Sequence, residues 1–350
     1  MPPLDSMQEL DDKSIENIVR FVTDVRTGKL KGSNKIASAS VDLLEQIIIE
    51  ASNTNALSLI NAVRGAGRRL INALPQELVV ANMVRRVMRA IRDEQRALIN
   101  QSSECSGESL QRLVLAAPSR RATLPSHQDM REPIRDHIAE LQAELEASTS
   151  SICGQAKEHI HADELILTYG ASSLVEKFLK ACGTKRFKLL LVESPEVNES
   201  AAMAARLSAY GINVTLVNGC AVGALMSRVN KVVVGGRATL AGGAVLGEGG
   251  LLTITTVAAH FTVPVIVLSP LYKLSPLHSS DHSHFEALAP PYTALPYMTG
   301  ESGTTQVFAP VYDFVPPDHV TLFITNLSGS SPSYIYRLLS ELYDPNDYQI

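Results

Sequence analysis

The sequence predicts an α/β protein, in which an N-terminal helical domain is followed by a domain built on a mostly parallel, doubly wound sheet. Up to about residue 160, apolar residues recur at intervals of three and four, which is the period of amphipathic helices. Beyond about residue 162, short continuous apolar runs alternate with segments of helical length, as strands buried on both faces of a parallel sheet do. Because 350 residues exceed what one small core usually serves, we assign residues 1–160 to the helical domain and 161–350 to the α/β domain.

Three apolar stripes define the helical domain. They lie at residues 43–48, 84–91 and 134–145, and each predicts a helix with one buried face. Residues 103–133 are polar and contain proline, so we expect a mobile loop there. Pro133 suits the first turn of the helix that follows, which we expect to extend towards His159.

Six apolar runs predict the strands of the second domain, and three longer segments predict helices between them. The strands are expected at Leu165–Leu167, Leu189–Val192, Val214–Val217, Val232–Val234, Val265–Leu268 and Leu322–Ile324. The helices are expected at Ser172–Cys182, Glu199–Tyr210 and Thr253–Phe261. Gly183 and Gly211 follow two of these helices, at the position where a left-handed glycine commonly ends a helix.

The composition argues against several classes of protein. A formal net charge of −5 provides no global attraction to nucleic acid or anionic lipid. The four cysteines lie far apart and form no Cys-x-x-Cys pair, which argues against a zinc ribbon or a disulfide framework and suits a reducing compartment. The N-terminus has no apolar core like that of a signal peptide, and no apolar run approaches the roughly 20 residues that span a bilayer. We therefore expect a cytosolic chain that binds neither membrane nor nucleic acid directly.

A run of glycines follows the predicted strand Val232–Val234, from Gly235 to Gly250. In an open α/β sheet, ligands bind at the carboxyl ends of strands, so backbone N–H groups of this run are candidates for an anion cradle. The run contains no Asp, Cys or His, and its only acid is Glu248. It matches neither the phosphate-binding Walker pattern nor the dinucleotide-binding pattern. Tight turns at strand ends are therefore the favoured interpretation.

Two histidine pairs are candidates for metal binding, but they lack further ligands. His159 and His161 end a predicted helix, where the negative end of the dipole favours histidine. His282 and His284 lie beside Asp281 in a polar loop. Since a metal site needs a third and a fourth ligand at credible spacing, we predict no metal. A nucleophilic site is equally unsupported, because no Gly-x-Ser-x-Gly elbow occurs.

A stripe of arginines lies opposite the apolar face of residues 84–91. Its members are Arg85, Arg86, Arg89, Arg92 and Arg96, with Arg64, Arg68 and Arg69 upstream. Arginine favours bidentate pairing with carboxylate or phosphate. The sequence leaves two interpretations open, a solvated face paired with neighbouring acids and a protein-binding surface. RNA is less favoured, because no aromatic residues interleave with the arginines.

Five segments of the chain resemble the beta subunits of eukaryotic translation initiation factor 2B. These segments are Asn82–Val87, Met226–Lys231, Tyr272–Pro276, Tyr312–Pro317 and Ser331–Arg337. The resemblance covers nearly the whole chain and places it in the family of alpha, beta and delta regulatory subunits. It implies an N-terminal helical domain and a C-terminal Rossmann-like domain, the latter shared with sugar-phosphate isomerases.

The resemblance also implies a function and a set of partners. The expected role is that of a regulatory subunit in a decameric guanine-nucleotide exchange factor for initiation factor 2. The expected partners are the alpha, gamma, delta and epsilon subunits of that factor and the alpha subunit of initiation factor 2, whose phosphorylation the regulatory core senses. Exchange chemistry belongs to the epsilon subunit, assisted by gamma.

The catalytic positions of the isomerase relatives are degenerate in this chain. Their cysteine falls at or beside Gly170, and their aspartate falls at Arg237. A glycine and a permanently charged arginine cannot supply the acid–base pair that isomerisation requires. We therefore predict no catalytic residue and no cofactor, and a vestigial pocket formed by Tyr169, Ser172, Gly235, Gly236, Gly243 and Gly250. A residual sugar-phosphate isomerase or metabolite sensor remains the alternative.

Two surfaces are proposed for protein contacts from this resemblance. A subunit interface, facing the homologous delta subunit, is expected at Met226, Arg228, Asn230, Lys231, Tyr272, Lys273 and Leu274. The contact with the alpha subunit of initiation factor 2 is expected on the polar side of the helix after the loop, at Arg131, Arg135, Asp136 and Glu140.

Overall fold

A computed structural model divides the chain into two compact units. The helical unit comprises Met1–Leu145 together with Leu342–Ile350, and the α/β unit comprises Glu146–Glu341. We call Leu342–Ile350 the return segment, because it belongs to the unit formed by the first part of the chain. The structure describes residues 12–51, 55–104, 130–183, 186–195, 197–278, 287–290 and 306–350.

Long helices form the helical unit, and their buried faces include the apolar stripes of the sequence. They are α1 (Asp12–Arg26), α2 (Ser33–Glu50), α3 (Ala56–Ala73), α4 (Leu78–Glu104) and the first part of α5 (Arg131–Gly154). In α4, the side chains of Val84, Val87, Met88 and Ile91 are all fully buried. Helices α3 and α4 pack so closely that a Cβ atom on Gly67 would lie 2.6 Å from Cγ1 of Val84. Only glycine fits at this contact.

The unit boundaries differ from those expected at residues 160 and 161. Ile152 and Ala156 precede residue 160, yet they are buried in the core of the α/β unit. At the other end, arginines of the helical unit bind the carboxylates of the return segment, which therefore does not belong to the α/β unit. The expected loop at 103–133 is helical at its edges, because α4 continues to Glu104 and α5 begins at Arg131. Residues 105–129 lie outside the described part of the chain.

The α/β unit is built on a seven-stranded sheet and a three-stranded sheet. The strands are β1 (Leu165–Tyr169), β2 (Lys188–Val192), β3 (Asn213–Val217), β4 (Lys231–Gly235), β5 (Ala238–Thr239), β6 (Val245–Glu248), β7 (Val265–Leu268), β8 (Tyr312–Val315), β9 (Leu322–Ile324) and β10 (Gly329–Ser330). The large sheet has the order β10-β9-β7-β4-β1-β2-β3, and the small one β5-β6-β8.

Strand order and direction identify the large sheet as Rossmann-like. Every pair in it is parallel except β9 with β10. From β3 to β9, the parallel strands follow the doubly wound order, which reverses direction between β1 and β4. All six predicted strands are present, and the predicted fold class is confirmed. One strand differs in burial from expectation, since β3 forms an edge of the sheet with Asn213, Thr215 and Leu216 exposed.

Helices connect the strands, and glycines end two of them as predicted. The helices are α6 (Ala156–His159), α7 (Ser173–Ala181), α8 (Val197–Ala209), α9 (Val222–Leu225), α10 (Leu251–His260) and α11 (Ile335–Leu342). Gly183 and Gly211 have φ angles of 69° and 97°, which places both in the left-handed region that ends helices. Among the described residues, none of the helices has the length and apolarity needed to cross a membrane.

Candidate functional site

The candidate site lies at the topological switch point of the large sheet. Strands β1 and β4 are neighbours there, and their carboxyl ends lead into Gly170 and Gly236. In doubly wound sheets this crevice is where ligands bind. Ser172 lies beside it, because a Cβ atom on Gly235 would be 2.9 Å from the Ser172 hydroxyl oxygen. The structure thus brings together the predicted residues that follow β1 and those that end β4.

A side chain at Gly170 would be both strained and crowded. Its φ angle of 64° lies in the left-handed region, where side chains are strained. A Cβ atom there would lie 2.5 Å from Oε2 of Glu248 and 3.3 Å from Cβ of Ser194. A thiol at this position therefore requires both a strained backbone and a displaced glutamate.

A carboxylate of the chain caps the helix that begins at this crevice. The backbone N–H groups of Gly250 and Leu252 donate to Oδ2 of Asp313, at 2.7 and 3.0 Å. These groups form the N-terminal end of α10, where the helix dipole and the unpaired N–H groups favour an anion. Asp313 belongs to the recognised segment Tyr312–Pro317, and its carboxylate already occupies part of the place that a phosphate would take.

The surroundings of Tyr169 are negatively charged as well as closely packed. Its hydroxyl donates to the carbonyl oxygen of Gly249, and a Cβ atom on Gly250 would collide with it. Burial raises the pKa of the Tyr169 hydroxyl, and the nearby carboxylates of Glu248 and Asp313 raise it further. The hydroxyl therefore stays protonated and acts as a donor. This environment disfavours a dianionic sugar phosphate.

The turn after β4 is packed closely against its neighbours, and this packing explains why glycine occupies two of its positions. A Cβ atom on Gly236 would lie 2.7 Å from Cγ1 of Val245, and one on Gly243, whose φ is 80°, would lie 2.8 Å from the carbonyl oxygen of Pro332. Arg237 is half-buried, and its backbone N–H group donates to the carbonyl oxygen of Leu246 at 2.7 Å. The close approaches agree with the tight-turn interpretation of the glycine run.

Several residues expected at a subunit interface are buried inside the α/β unit. Met226 and Leu274 have no exposed surface, Tyr272 is 5% exposed and Lys273 is 9% exposed. The Lys273 ammonium group donates to the carbonyl oxygen of Gly236 at 2.8 Å. Burial gives these four side chains a role in packing and argues against direct contact with another subunit.

The other three residues of the expected interface lie at or near the surface. The Lys231 ammonium group is 2.8 Å from Oε1 of Glu164. The side-chain oxygen of Asn230 accepts from the N–H of Leu165 at 2.8 Å, which fixes the start of β1. Arg228 is exposed, and it is the expected interface residue whose side chain is best placed to reach a partner. The interface itself stays a prediction.

The expected contact face for the substrate protein is exposed on α5. Arg135, Asp136 and Glu140 are all exposed, and the Arg135 guanidinium lies 3.3 Å from Oε1 of Glu45. Arg131 is half-buried and donates to the carbonyl oxygen of Ala51. Three of the four residues thus share an accessible, charged helix surface, while Arg131 also fastens α5 to the chain beyond α2.

The arginine stripe binds carboxylates within the helical unit. Arg86 makes a bidentate pair with Glu144, at 3.0 and 2.6 Å. Arg92 and Arg96 bind Asp347 and Asp344 of the return segment. These two aspartates could not be predicted from the sequence, because nothing in their local spacing connects them to helices more than two hundred residues away.

No metal site emerges among the described residues, in which no group of three or more His, Cys, Asp or Glu side chains is placed to hold an ion. His282, His284 and Asp281 lie outside the described residues. His159 and His161 stand at the end of α6, and burial lowers the pKa of His159.

The fold and the site together define a Rossmann-like protein with an N-terminal helical unit and a switch-point crevice in which Gly170 is packed against Glu248. The chain belongs to the Initiation factor 2 subunit family, whose profile matches residues 29–332. It is 34% identical to the translation initiation factor eIF2B subunit beta of Dictyostelium discoideum, over 93% of this chain and 95% of that protein.

Solved structures agree with this assignment. The crystal structure of eIF2B beta from Chaetomium thermophilum superposes with a TM-score of 0.76 and 25% identity, covering 96% of this chain and 94% of that chain. A chain of the tetrameric eIF2B-beta2-delta2 complex from C. thermophilum superposes with a TM-score of 0.72 and 25% identity, covering 95% of this chain and 96% of that chain. A more distant relative is the ribose 1,5-bisphosphate isomerase of Haloferax volcanii, at 22% identity over 95% of both chains.

Proposed function

We propose that this chain is a non-catalytic, beta-type regulatory subunit of the guanine-nucleotide exchange factor for translation initiation factor 2. In this role it assembles with the alpha, gamma, delta and epsilon subunits and acts in the cytosol. It contributes to binding the alpha subunit of initiation factor 2 and to sensing its phosphorylation. Such sensing requires two states of the complex that differ in affinity for the substrate.

The observation that carries this proposal is which residues form the switch-point crevice and how crowded it is. The resemblance to the isomerases implies that their cysteine falls at or beside Gly170 and their aspartate at Arg237, and the Glu248 carboxylate lies in the space that a side chain at Gly170 would need. Sugar isomerisation moves a proton or a hydride between adjacent carbons, which needs ionisable groups in the crevice. Similarity to eIF2B beta over nearly the full length of both chains supports the same role independently.

The alternative, a residual isomerase or metabolite sensor, is motivated by the likeness to the isomerase of H. volcanii. The capping of α10 by Asp313 argues against it, because a phosphate would have to displace or approach a carboxylate. Purified chain is to be incubated with ribose 1,5-bisphosphate or methylthioribose 1-phosphate and followed by 31P NMR. We expect neither turnover nor line broadening relative to a blank. Turnover would overturn the non-catalytic role, and line broadening alone would favour a sensor.

Complex membership is tested by native mass spectrometry after affinity purification of the tagged chain from its own cytosol. We expect masses that correspond to the four other subunits, in stoichiometric amounts. Recovery of the chain alone would contradict the proposal. The variant Arg228→Glu is expected to lower the recovery of the delta subunit, and Arg337→Glu, another exposed arginine of the α/β unit, serves as its matched control.

Substrate contact is tested by charge reversals on the exposed face of α5. Arg135→Glu and Glu140→Arg are each expected to slow nucleotide exchange on initiation factor 2 while the complex stays assembled. The pair Arg135–Glu45 is a surface ion pair worth only about 0–1 kcal/mol, so folding should survive. Arg337→Glu and Glu341→Arg are the matched controls, since both residues are exposed on α11. Normal exchange in both α5 variants would show that this face does not bind the substrate.

A further inference from the structure

The return segment is held in the helical unit by a group of four arginines, which we call the arginine site. Its members are Arg64 on α3 and Arg85, Arg92 and Arg96 on α4. They contact one short stretch of chain, from Asp344 to Tyr348, through hydrogen bonds to two carboxylates and two main-chain carbonyl groups. This arrangement resembles the recognition of a short peptide turn, because the arginines bind main-chain as well as side-chain oxygens of the 3-10 helix Pro345–Asp347 and its neighbours.

Asp347 is the centre of this recognition. Its carboxylate is fully buried and accepts two hydrogen bonds from Arg92, both at 2.7 Å, and one from Arg64 at 2.9 Å. Bidentate pairing of this kind reads the planar shape of a carboxylate as well as its charge. Arg85 donates to the main-chain oxygens of Asp347 and Tyr348, at 3.3 and 3.1 Å. The site therefore recognises both the Asp347 side chain and the main chain of the 3-10 helical turn Pro345–Asp347.

Two further residues complete the motif. Asp344 accepts from Arg96 at 2.6 Å, and Arg96 also binds Asp93 of its own helix at 3.0 Å. Tyr343 has no exposed surface, and Arg85 and Arg86 are among the charged groups around its hydroxyl. The ligand thus has the form Tyr-Asp-x-x-Asp, with an aromatic anchor before the first acid.

The arginine site has more donors than the segment uses. Among the described residues, Nε of Arg64 and Nη1 of Arg85 are buried without a hydrogen-bond partner. Four guanidinium groups face three carboxylates, Asp344 and Asp347 of the segment and Asp93 of α4, so the site keeps a surplus of one positive charge. Such a surplus favours an acidic peptide over a neutral one.

We propose that the arginine site is a peptide-binding site for acidic segments of the form Tyr-Asp-x-x-Asp, and that the return segment is its intramolecular ligand. The covalent connection gives the segment a high effective concentration, so a separate peptide at micromolar concentration cannot compete with it. When the aspartates of the return segment are neutralised, the site opens to the same segment supplied as a separate peptide.

The test uses the full-length chain with Asp344→Asn and Asp347→Asn, and a labelled peptide with the sequence of Leu342–Ile350. Fluorescence polarisation is expected to show binding to this opened chain and none to the unaltered chain at the same peptide concentration. A peptide with asparagine at the position of Asp347, and a scrambled peptide of the same charge, should each bind at least about tenfold more weakly. Equal binding of the three peptides, or no binding to a folded opened chain, would overturn the proposal.

Two further variants show whether the peptide binds at the arginine site. Adding Arg92→Gln to the opened chain should abolish peptide binding, whereas adding Arg69→Gln, an exposed arginine outside the site, should leave it unchanged. Circular dichroism establishes that each chain is folded. If the doubly substituted chain does not fold, Asp347→Asn alone replaces it, with Asp344 and its bond to Arg96 retained. Equal effects of Arg92→Gln and Arg69→Gln would place the binding elsewhere.

Discussion

The most direct test of the crowding at the switch-point crevice is the substitution of Gly170, because the structure gives two separate reasons why a side chain is disfavoured there. The φ angle of 64° costs a residue other than glycine about 1–2 kcal/mol. The contact of 2.5 Å is with Oε2 at the far end of the flexible Glu248 side chain, which can turn aside at a cost below the roughly 1–3 kcal/mol of overpacking against a rigid neighbour. We therefore expect Gly170→Ala to destabilise the α/β unit by about 2 kcal/mol, most of it from the backbone.

Thermal unfolding monitored by circular dichroism and by calorimetry measures this effect. For a unit of this size, each kcal/mol lowers Tm by roughly 2–4 °C, so a decrease of about 4–8 °C is expected. Gly65→Ala is the control, since a Cβ atom there meets nothing within 4 Å and alanine favours the helix by about 1 kcal/mol. An unchanged Tm for Gly170→Ala would refute the steric argument. The doubly restored chain, Gly170→Cys with Arg237→Asp, should remain without isomerase turnover.

The remaining predictions concern packing, capping and pH. Gly67→Ala should lower the free energy of unfolding of the helical unit by about 1–2 kcal/mol, because overpacking of its Cβ atom against Cγ1 of Val84, 2.6 Å away, outweighs the roughly 1 kcal/mol by which alanine favours the helix; equal stability would show that α3 and α4 can move apart. Asp313→Ala should cost about 0.5–2 kcal/mol by removing the cap of α10, and hydrogen exchange of the Gly250 and Leu252 amides should rise, whereas unchanged exchange would exclude this role. Burial alone would raise the pKa of Asp344, but hydrogen bonds from Asn346 and Arg96 outweigh it and hold the pKa below its ordinary value of 3.8. The stability that the ionised Asp344 carboxylate contributes to the folded chain is thus fully present well above pH 3.8 and is lost as the pH falls through the folded-state pKa. Denaturation curves at a series of pH values should show a smaller loss of stability in acid for Asp344→Asn than for the unaltered chain.

The elements that follow from local pattern were predictable from the sequence, and those that depend on distant contacts were not. The runs Val232–Val234 and Val265–Leu268 predicted buried parallel strands, because a strand covered on both faces is apolar at every position. The exposed edge strand β3 has the same kind of apolar run, so its position at the edge of the sheet could not be predicted from the sequence pattern. Similarly, the glycine run indicated tight turns, but the contact between Glu248 and Gly170 could not be predicted from the sequence, because the two residues meet only in the folded chain.

The arginine stripe shows why the rest of the site escaped prediction. On α4, the spacing of Arg85, Arg92 and Arg96 indicates a charged helix face, and both a solvated surface and a binding surface satisfy that pattern. The structure pairs these arginines with acids of the same chain, above all Asp347, because a fully buried carboxylate is stable only when cations and hydrogen bonds compensate its lost hydration. Its partners come from helices more than 250 positions earlier, a separation at which local pattern carries no information.

The crevice and the arginine site differ in a way that bears on how this chain works. At the crevice, Asp313 and Glu248 occupy positions that an anionic ligand would need, and removing either carboxylate leaves no acid–base pair that could restore chemistry. At the arginine site, cationic side chains surround an acidic segment and retain unused donors, so the segment is replaceable by another of the same chemistry. A ligand-dependent change in this chain is therefore expected in the helical unit, through exchange of the return segment, rather than through a metabolite in the α/β unit. If loading of the opened chain with peptide leaves hydrogen exchange of α4 unchanged, this assignment of the responsive element is wrong.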